Sequence, residues 1–459
     1  MRTLLIFTLL FLFTKLYSAV NRIDMVFEGL ENQKIILAVQ YGKKQIALDT
    51  TQLDSTGQGH FHSPQKYPGG LYLLVLPDKK FYEFLIDNEQ YFTLRSQYKH
   101  FFDSMSIEGA EMTNLYHNYQ KKALEIQQKI NSTIAIRKTV SKDSSVILMH
   151  AIERLTMELK FFRSNVVKNL PNSFIAHLFQ LLEEPEDTTQ NTNIDKNAIS
   201  NRYNYLVMNY FKNFVFNDER LLRTSIFEEK IDFYFNRLIN QKRDTIIRHI
   251  DLLLSKASKN EQVNRFILNY LTGIYRNNQH SQSDYIYLHL IDQYYLAGKA
   301  PWADPRYLKL MKDRADNIRT TLIGSKAPDL KLETMDNKNI SLYNVDANWI
   351  VLYFWSPDCE KCQLQTPIID KIYKKYKSKG IKIFAVFTYA DRAVWIDAIK
   401  NQDLEWIHAY DPLLKSNFSK LYKVNDTPTL YLLDKDKKIA LRNTEIEDLE
   451  KFIDEKLKK

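Results

Sequence analysis

Cys359 and Cys362 are separated by two residues in the stretch FWSPDCEKC, and they are the only 2 cysteines among 459 residues. A thiol pair at that spacing, just after an apolar strand and at the start of a helix, suits thiol–disulfide exchange. The first turn of a helix carries unpaired N–H groups and the positive end of the peptide dipoles, and both stabilise a thiolate. Cys359 falls at that end and is expected to be the attacking nucleophile. Cys362, one turn further on, is expected to close the disulfide and release whatever Cys359 has captured. Two other uses of the pair are weaker. A structural zinc site usually takes four Cys or His ligands. The 10 histidines are scattered, none near the pair, and His60 and His62 in HFH read as strand decoration. A structural disulfide across so short a loop removes little chain entropy. The expectation is a redox pair, with no metal and no cofactor.

A second stretch bears on the same chemistry. NDTPTLYLLD sets Thr427 and Pro428 immediately before a strand. Proline in a sheet is normally confined to edges and strand starts. A cis bond there would turn the chain beside the cysteines and leave the Thr427 backbone open to an extended substrate segment. A trans proline that simply opens a strand fits the sequence equally well.

These residues need a scaffold, and the last third of the chain supplies one. NWIVLYFW reads as a strand buried on both faces, followed by a helix from about Cys359 to Lys379. Then come the strand IKIFAVFTY, a helix over Arg392 to Asn401, a short helix around Leu413 to Tyr422, the strands TLYLLD and KIALRN, and a closing helix from Glu445 to Leu457. Strand–helix–strand followed by a hairpin and a helix is a three-layer α/β sandwich of thioredoxin type, assigned to residues 324–459.

Upstream the texture changes twice. Residues 22–102 hold short aromatic and β-branched segments such as KIILAVQY and GLYLLVL, with turn signals between them. They predict an antiparallel β-sandwich. Residues 108–322 turn helical, with Ile231, Tyr234, Phe235 and Leu238 at i, i+3, i+4 and i+7, and Val263, Phe266, Ile267, Tyr270 and Ile274 on a second stripe. These aromatic stripes read as core. No fixed-period repeat marks a solenoid. At the N-terminus, Arg2 precedes an apolar run from Leu4 to Phe13, and Ser18 and Ala19 follow. A run that short fits a secretory signal peptide over residues 1–19 better than a membrane span. No cysteine for lipid attachment lies near that cleavage region. The mature chain is therefore expected to be exported, periplasmic and soluble, in a compartment where disulfides form. The net charge of +9 is spread thinly, without a basic block, so nucleic acid is not an expected partner.

With IGSKAPDLKLE, YFWSPDCEKCQLQTP and DTPTLYLLD in that order, residues 324–459 resemble the thiol–disulfide oxidoreductases of the TlpA and ResA type, within the redoxin superfamily. The resemblance implies Cys359 as nucleophile, Cys362 as resolving cysteine and Pro428 as a cis proline. It matches Phe354 and Trp355 to the aromatic pair ahead of the site, with Trp355 and Thr427 as substrate contacts, and Pro367 to a proline that bends the helix. LDTTQLDSTGQGHF resembles the sandwich domain often fused to such proteins in bacteria with two membranes. FNDERLLRTSIFEEKIDFYFNRL resembles an uncharacterised helical domain found between the two. The implied partners are disulfide-containing protein clients and a membrane electron donor.

Three positions depart from the family pattern. Gln365 stands where a proton-accepting Glu often lies, Tyr353 where thioredoxins carry a buried Asp, and Asp358 in place of a Trp. Asp358 should disfavour a Cys359 thiolate and Lys361 should favour it. Slower exchange or a narrower set of partners is expected. Two other functions compete. A peroxiredoxin-like peroxidase would use Ser356, three residues before Cys359, and an arginine, but Leu352 stands where the accompanying proline is needed. A binding or scaffold protein would use the upstream domains, with the redox domain ancillary.

Overall fold

The computed structural model describes residues 21–185, 196–277, 282–389, 391–400, 404–442, 444 and 446–457. The expected signal peptide lies outside these residues, as does the end of the helix expected at Asn401. The chain divides into two compact units, Met1–Phe266 and Ile267–Lys459. Among the described residues, no helix is long and apolar enough to cross a membrane.

The first unit opens with eight strands: β1 (Asn21–Glu28), β2 (Lys34–Tyr41), β3 (Lys44–Gln52), β4 (Gln58–Ser63), β5 (Gly70–Val75), β6 (Phe81–Ile86), β7 (Tyr91–Gln97) and β8 (Ser106–Glu108). They form two four-stranded sheets, ordered β4-β1-β7-β8 and β3-β2-β5-β6. Alternate residues of β1, including Ile23, Met25 and Phe27, turn inward to meet Leu37, Tyr72 and Phe84 of the other sheet in one core. The sandwich is as expected in outline, but it is not antiparallel throughout. β1 and β7 run parallel, with Ile23 opposite Phe92 and Met25 opposite Leu94. Strands so far apart in sequence need no hairpin, so their direction is set by packing and not by a turn.

Helices follow within the same unit. α1 (Glu111–Arg137) docks on β6 through Thr113, whose Oγ1 donates to the Leu85 carbonyl at 2.7 Å. α2 (Lys142–Asn169) and α3 (Phe174–Leu182) start on serine caps, Ser141 and Ser173. Asp218 is buried and accepts from His177 at 2.5 Å and from Arg220 at 2.7 Å. Burial alone would raise its carboxyl, but these hydrogen bonds win and hold it far below the ordinary carboxylate range.

The second unit carries the expected thioredoxin-like sheet, preceded by the helices α4 (Ser283–Leu290) and α5 (Pro305–Arg319). Seven strands, β9 (Lys331–Thr334), β10 (Asn339–Ser341), β11 (Trp349–Trp355), β12 (Ile381–Phe387), β13 (Ile407–Tyr410), β14 (Thr429–Asp434) and β15 (Ile439–Arg442), lie in the order β10-β9-β13-β12-β11-β14-β15. β11 is interior, parallel to β12 and antiparallel to β14. Its side chains alternate between two cores. Val351, Tyr353 and Trp355 join the layer that holds Cys362, Ile369 and Trp395, while Ile350, Leu352 and Phe354 join the layer around Phe418, Tyr422 and Tyr431. That double burial is why the strand reads as one unbroken apolar run.

Candidate active site

The site forms where β11 ends. A strand buried on both faces must leave the sheet through a loop, and here Ser356–Asp358 leads directly into α6 (Glu360–Tyr376). Cys362, Thr366, Ile369 and Tyr376 share the buried face of α6 at helical spacing, which anchors it over the sheet. Cys359 is the residue that caps the helix. Its Sγ accepts a hydrogen bond from the Cys362 amide at 3.1 Å, the place a serine or aspartate side chain takes in an ordinary cap. Pro367 lies inside the helix, as expected.

The second stretch closes on the same point. β14 pairs with β11 so that Thr429 is opposite Phe354, which brings Thr427 level with the loop after the strand. The Thr427–Pro428 bond is cis, so of the two forms the sequence leaves open, the chain takes this one. The Cys359 thiol donates to the Thr427 carbonyl at 3.1 Å, and the hydroxyls of Ser356 and Thr427 are 3.2 Å apart. Gln363 fastens the loop from the helix side by donating to the Pro357 carbonyl at 2.7 Å.

The two sulfurs differ in surroundings. Cys359 is partly exposed, and Cys362 is 1% exposed. Burial raises the Cys359 thiol, but hydrogen bonds with the side chains of Cys362 and Thr427 and from the amides of Cys362 and Lys361 outweigh it, and the group ends below the ordinary thiol range. Burial pushes Cys362 up to about 11, and its contact with Cys359 adds to the rise. The attacking role is thus supported at the exposed sulfur and the waiting role at the covered one. Beneath them, Tyr353 is buried with its hydroxyl 3.3 Å from that of Thr366. Burial raises its phenol, so it holds its proton and is no base for Cys362.

Cys359 opens onto a cleft of about 600 Å³ that also meets Ser356, Asp358, Tyr389, Leu414, Asp426 and Thr427. Trp355 is the correction among the expected substrate contacts. It is 2% exposed, lies edge-on to Phe387 at 5.9 Å and belongs to the interior layer. Its neighbour Ser356, one residue on, takes the cleft position instead. Tyr389 was not singled out by sequence, yet its hydroxyl donates to Asp358 at 2.9 Å. The signal was available: β12 runs parallel to β11, so the residues just past its end must emerge beside the cysteine loop. No arginine is among the described residues that line the cleft. No group of three or more metal-binding side chains occurs among the described residues.

Known proteins resemble parts of this chain. A family model described as AhpC/TSA family matches residues 323–442, and one described as a domain of unknown function, DUF5106, matches residues 179–319. The thiol-disulfide oxidoreductase ResA of Bacillus thuringiensis subsp. konkukian (strain 97-27) is 30% identical over 137 residues, which is 30% of this chain and 78% of that protein. A ResA of Bacillus cereus is 30% identical over 118 residues, 26% of this chain and 67% of that one. A crystal structure of a thioredoxin-like protein from Bacteroides caccae ATCC 43185 is 20% identical, with a TM-score of 0.47, and the match covers 58% of this chain and 98% of that one.

Proposed function

Because this chain belongs to the thiol–disulfide oxidoreductases of the ResA type, we propose that it is an exported reductant of protein disulfides working through Cys359 and Cys362. The observation that carries this reading is the Cys359 sulfur, capping a helix, bonded to the Cys362 amide and open to a cleft. The Cys359 thiolate attacks one sulfur of a client disulfide. The client S–S bond breaks, its electron pair leaves on the second client sulfur, and that thiolate takes up a proton. Cys362 then loses its proton and attacks the Cys359 sulfur of the mixed disulfide. The client leaves with two electrons and two protons gained, and the protein is left with a Cys359–Cys362 disulfide. A dithiol donor, at the membrane in this reading, restores the pair.

Thr427 has a part in the same cycle. In the reduced state its carbonyl accepts from the Cys359 thiol. Ionisation or a mixed disulfide removes that S–H, and the carbonyl then becomes available to an amide of the client backbone. Pro428 holds the loop that presents it. The apolar leader supports export. The sandwich at 22–102 and the helices that follow it as far as Phe266 lie in one compact unit, and that unit holds no cysteine, since the two of the chain are Cys359 and Cys362.

The test is steady-state turnover of a disulfide peptide with a chemical dithiol as electron source, together with fractionation of cells making the full chain. Catalysed release of client thiol well above the dithiol alone, and recovery of the processed chain outside the cytoplasm, are expected. Release no faster than the dithiol alone contradicts the reductase reading. Recovery of uncleaved chain in the cytoplasm contradicts export.

A further inference from the structure

The cleft beside Cys359 is acidic in a chain that is basic as a whole. The net charge is +9, yet the charged residues lining the cleft are Asp358 and Asp426, with no Lys, Arg or His among the described lining residues. They belong to two chain segments that meet at the reactive sulfur. Asp358 immediately precedes Cys359, and Asp426 precedes Thr427, whose carbonyl the thiol touches. Both are exposed, and so is Glu360 on the first helical turn. The Tyr389 hydroxyl donates to Asp358 at 2.9 Å and keeps that carboxyl below its ordinary range, so it carries its charge at neutral pH. Lys361, Lys415 and Lys420 lie close to lining residues in sequence but are not among the described residues that line the cleft. Lys423 and Arg442 face Asp284, and Arg392 is bonded to Glu333 and the Tyr410 hydroxyl.

A carboxylate directly before the nucleophile has a cost for exchange, since it opposes a thiolate. It has a use if the group arriving is positive. We propose that Asp358 and Asp426 select client disulfides whose cysteine is flanked by lysine or arginine, so that the acidic walls attract the client while the thiolate attacks. This rests on the reductase reading above and names the chemistry of its clients. The cleft leaves room for apolar contact as well, through Leu414 and Tyr389. Unit charges about 8 Å apart in water-like surroundings change a rate roughly two-fold each, and at low salt the screening is slight. With each carboxylate meeting one flanking charge, a cationic client gains about four-fold and an anionic one loses about four-fold, a separation on the order of 10-fold.

The experiment uses the reduced full chain and three short symmetric peptide disulfides, with the cysteine flanked by lysines, by serines or by glutamates. Second-order rates are divided by those of 2-mercaptoethanol with the same peptides, which removes the intrinsic reactivity of each disulfide. A corrected lysine-to-glutamate ratio of about 10 at low ionic strength is expected. It should fall towards 1 in 0.5 M salt and in the D358N/D426N variant. The ratio is the readout because either substitution also shifts the Cys359 thiolate and so changes every rate together. A ratio below about 2 in the unaltered protein, or one that survives both salt and D358N/D426N, overturns the charge selection while leaving the reductase reading intact. Failure to reduce any of the three peptides overturns both. The salt series needs no variant, so the outcome does not depend on how D358N/D426N folds.

Discussion

Cys359→Ser is expected to lower disulfide turnover by about 1,000-fold or more, which is over 4 kcal/mol of barrier at 1.36 kcal/mol per decade. The physical reason is the loss of the partly exposed thiol. A serine hydroxyl caps the helix as well as the thiol does, so the fold at Glu360–Tyr376 should survive. It does not ionise near neutral pH and cannot attack sulfur. Cys362→Ser is expected to behave differently. Attack still occurs, a single client thiol is released per protein, and the other half of the client stays bonded to Cys359 because nothing expels it. With the dithiol present, turnover compares the unaltered chain with Cys359→Ser; with prereduced protein and no dithiol, the client thiol released per protein is about two for the unaltered chain, about one for Cys362→Ser and none above background for Cys359→Ser. Equal turnover by the Cys359→Ser variant contradicts the assignment.

Trp395→Ala is expected to destabilise the second unit by about 3–5 kcal/mol. Trp395 is fully buried on α7 (Arg392–Lys400). Its ring stacks on Tyr410 at 4.3 Å and on Phe387 at 6.4 Å. Phe387 in turn meets Trp355 at the end of β11, so the cavity opens one layer behind the cysteine loop. A denaturant midpoint followed by tryptophan-independent circular dichroism reads the loss. A change below about 1 kcal/mol contradicts the packing described, because a void of that size rarely collapses without cost. Activity at low temperature should fall less than stability does, since Trp395 is not among the residues that line the cleft.

How legible the molecule is from its sequence depends on whether the signal is local. The thiol pair and its helix are local: spacing, a preceding apolar run and a capping position all lie within a dozen residues, and each is found as read. The thioredoxin-like order of elements follows from alternation of period and is likewise found. Trp355 is not legible in the same way. In a strand buried on both faces every position is apolar, so the pattern does not say which side faces a cleft and which faces the core. The parallel pairing of β1 with β7 joins residues about seventy apart and leaves no turn signal. The stripe at Ile231 fails by one residue for a definite reason. Ile231, Tyr234 and Phe235 are buried, but the chain over Tyr234–Leu238 is a π-helix, whose wider turn carries Ile239 inward where Leu238 was expected. The form of the Thr427–Pro428 bond is another limit, because the sequence permits both and the loop geometry chooses.

The account stands on one sulfur being ionisable and reachable while its neighbour is neither. Labelling the reduced chain with iodoacetamide across pH, with each cysteine followed by peptide mapping, tests that most directly. Only the thiolate reacts, so each rate falls tenfold per pH unit below its own pKa. With Cys359 below the ordinary thiol range and Cys362 pushed up to about 11, Cys359 should label about 100-fold faster or more at neutral pH. Its half-maximal rate should lie below that of a free thiol, and Cys362 should stay unlabelled until strongly alkaline pH. Equal labelling of both, or faster labelling of Cys362, contradicts the assignment of attacker and resolver.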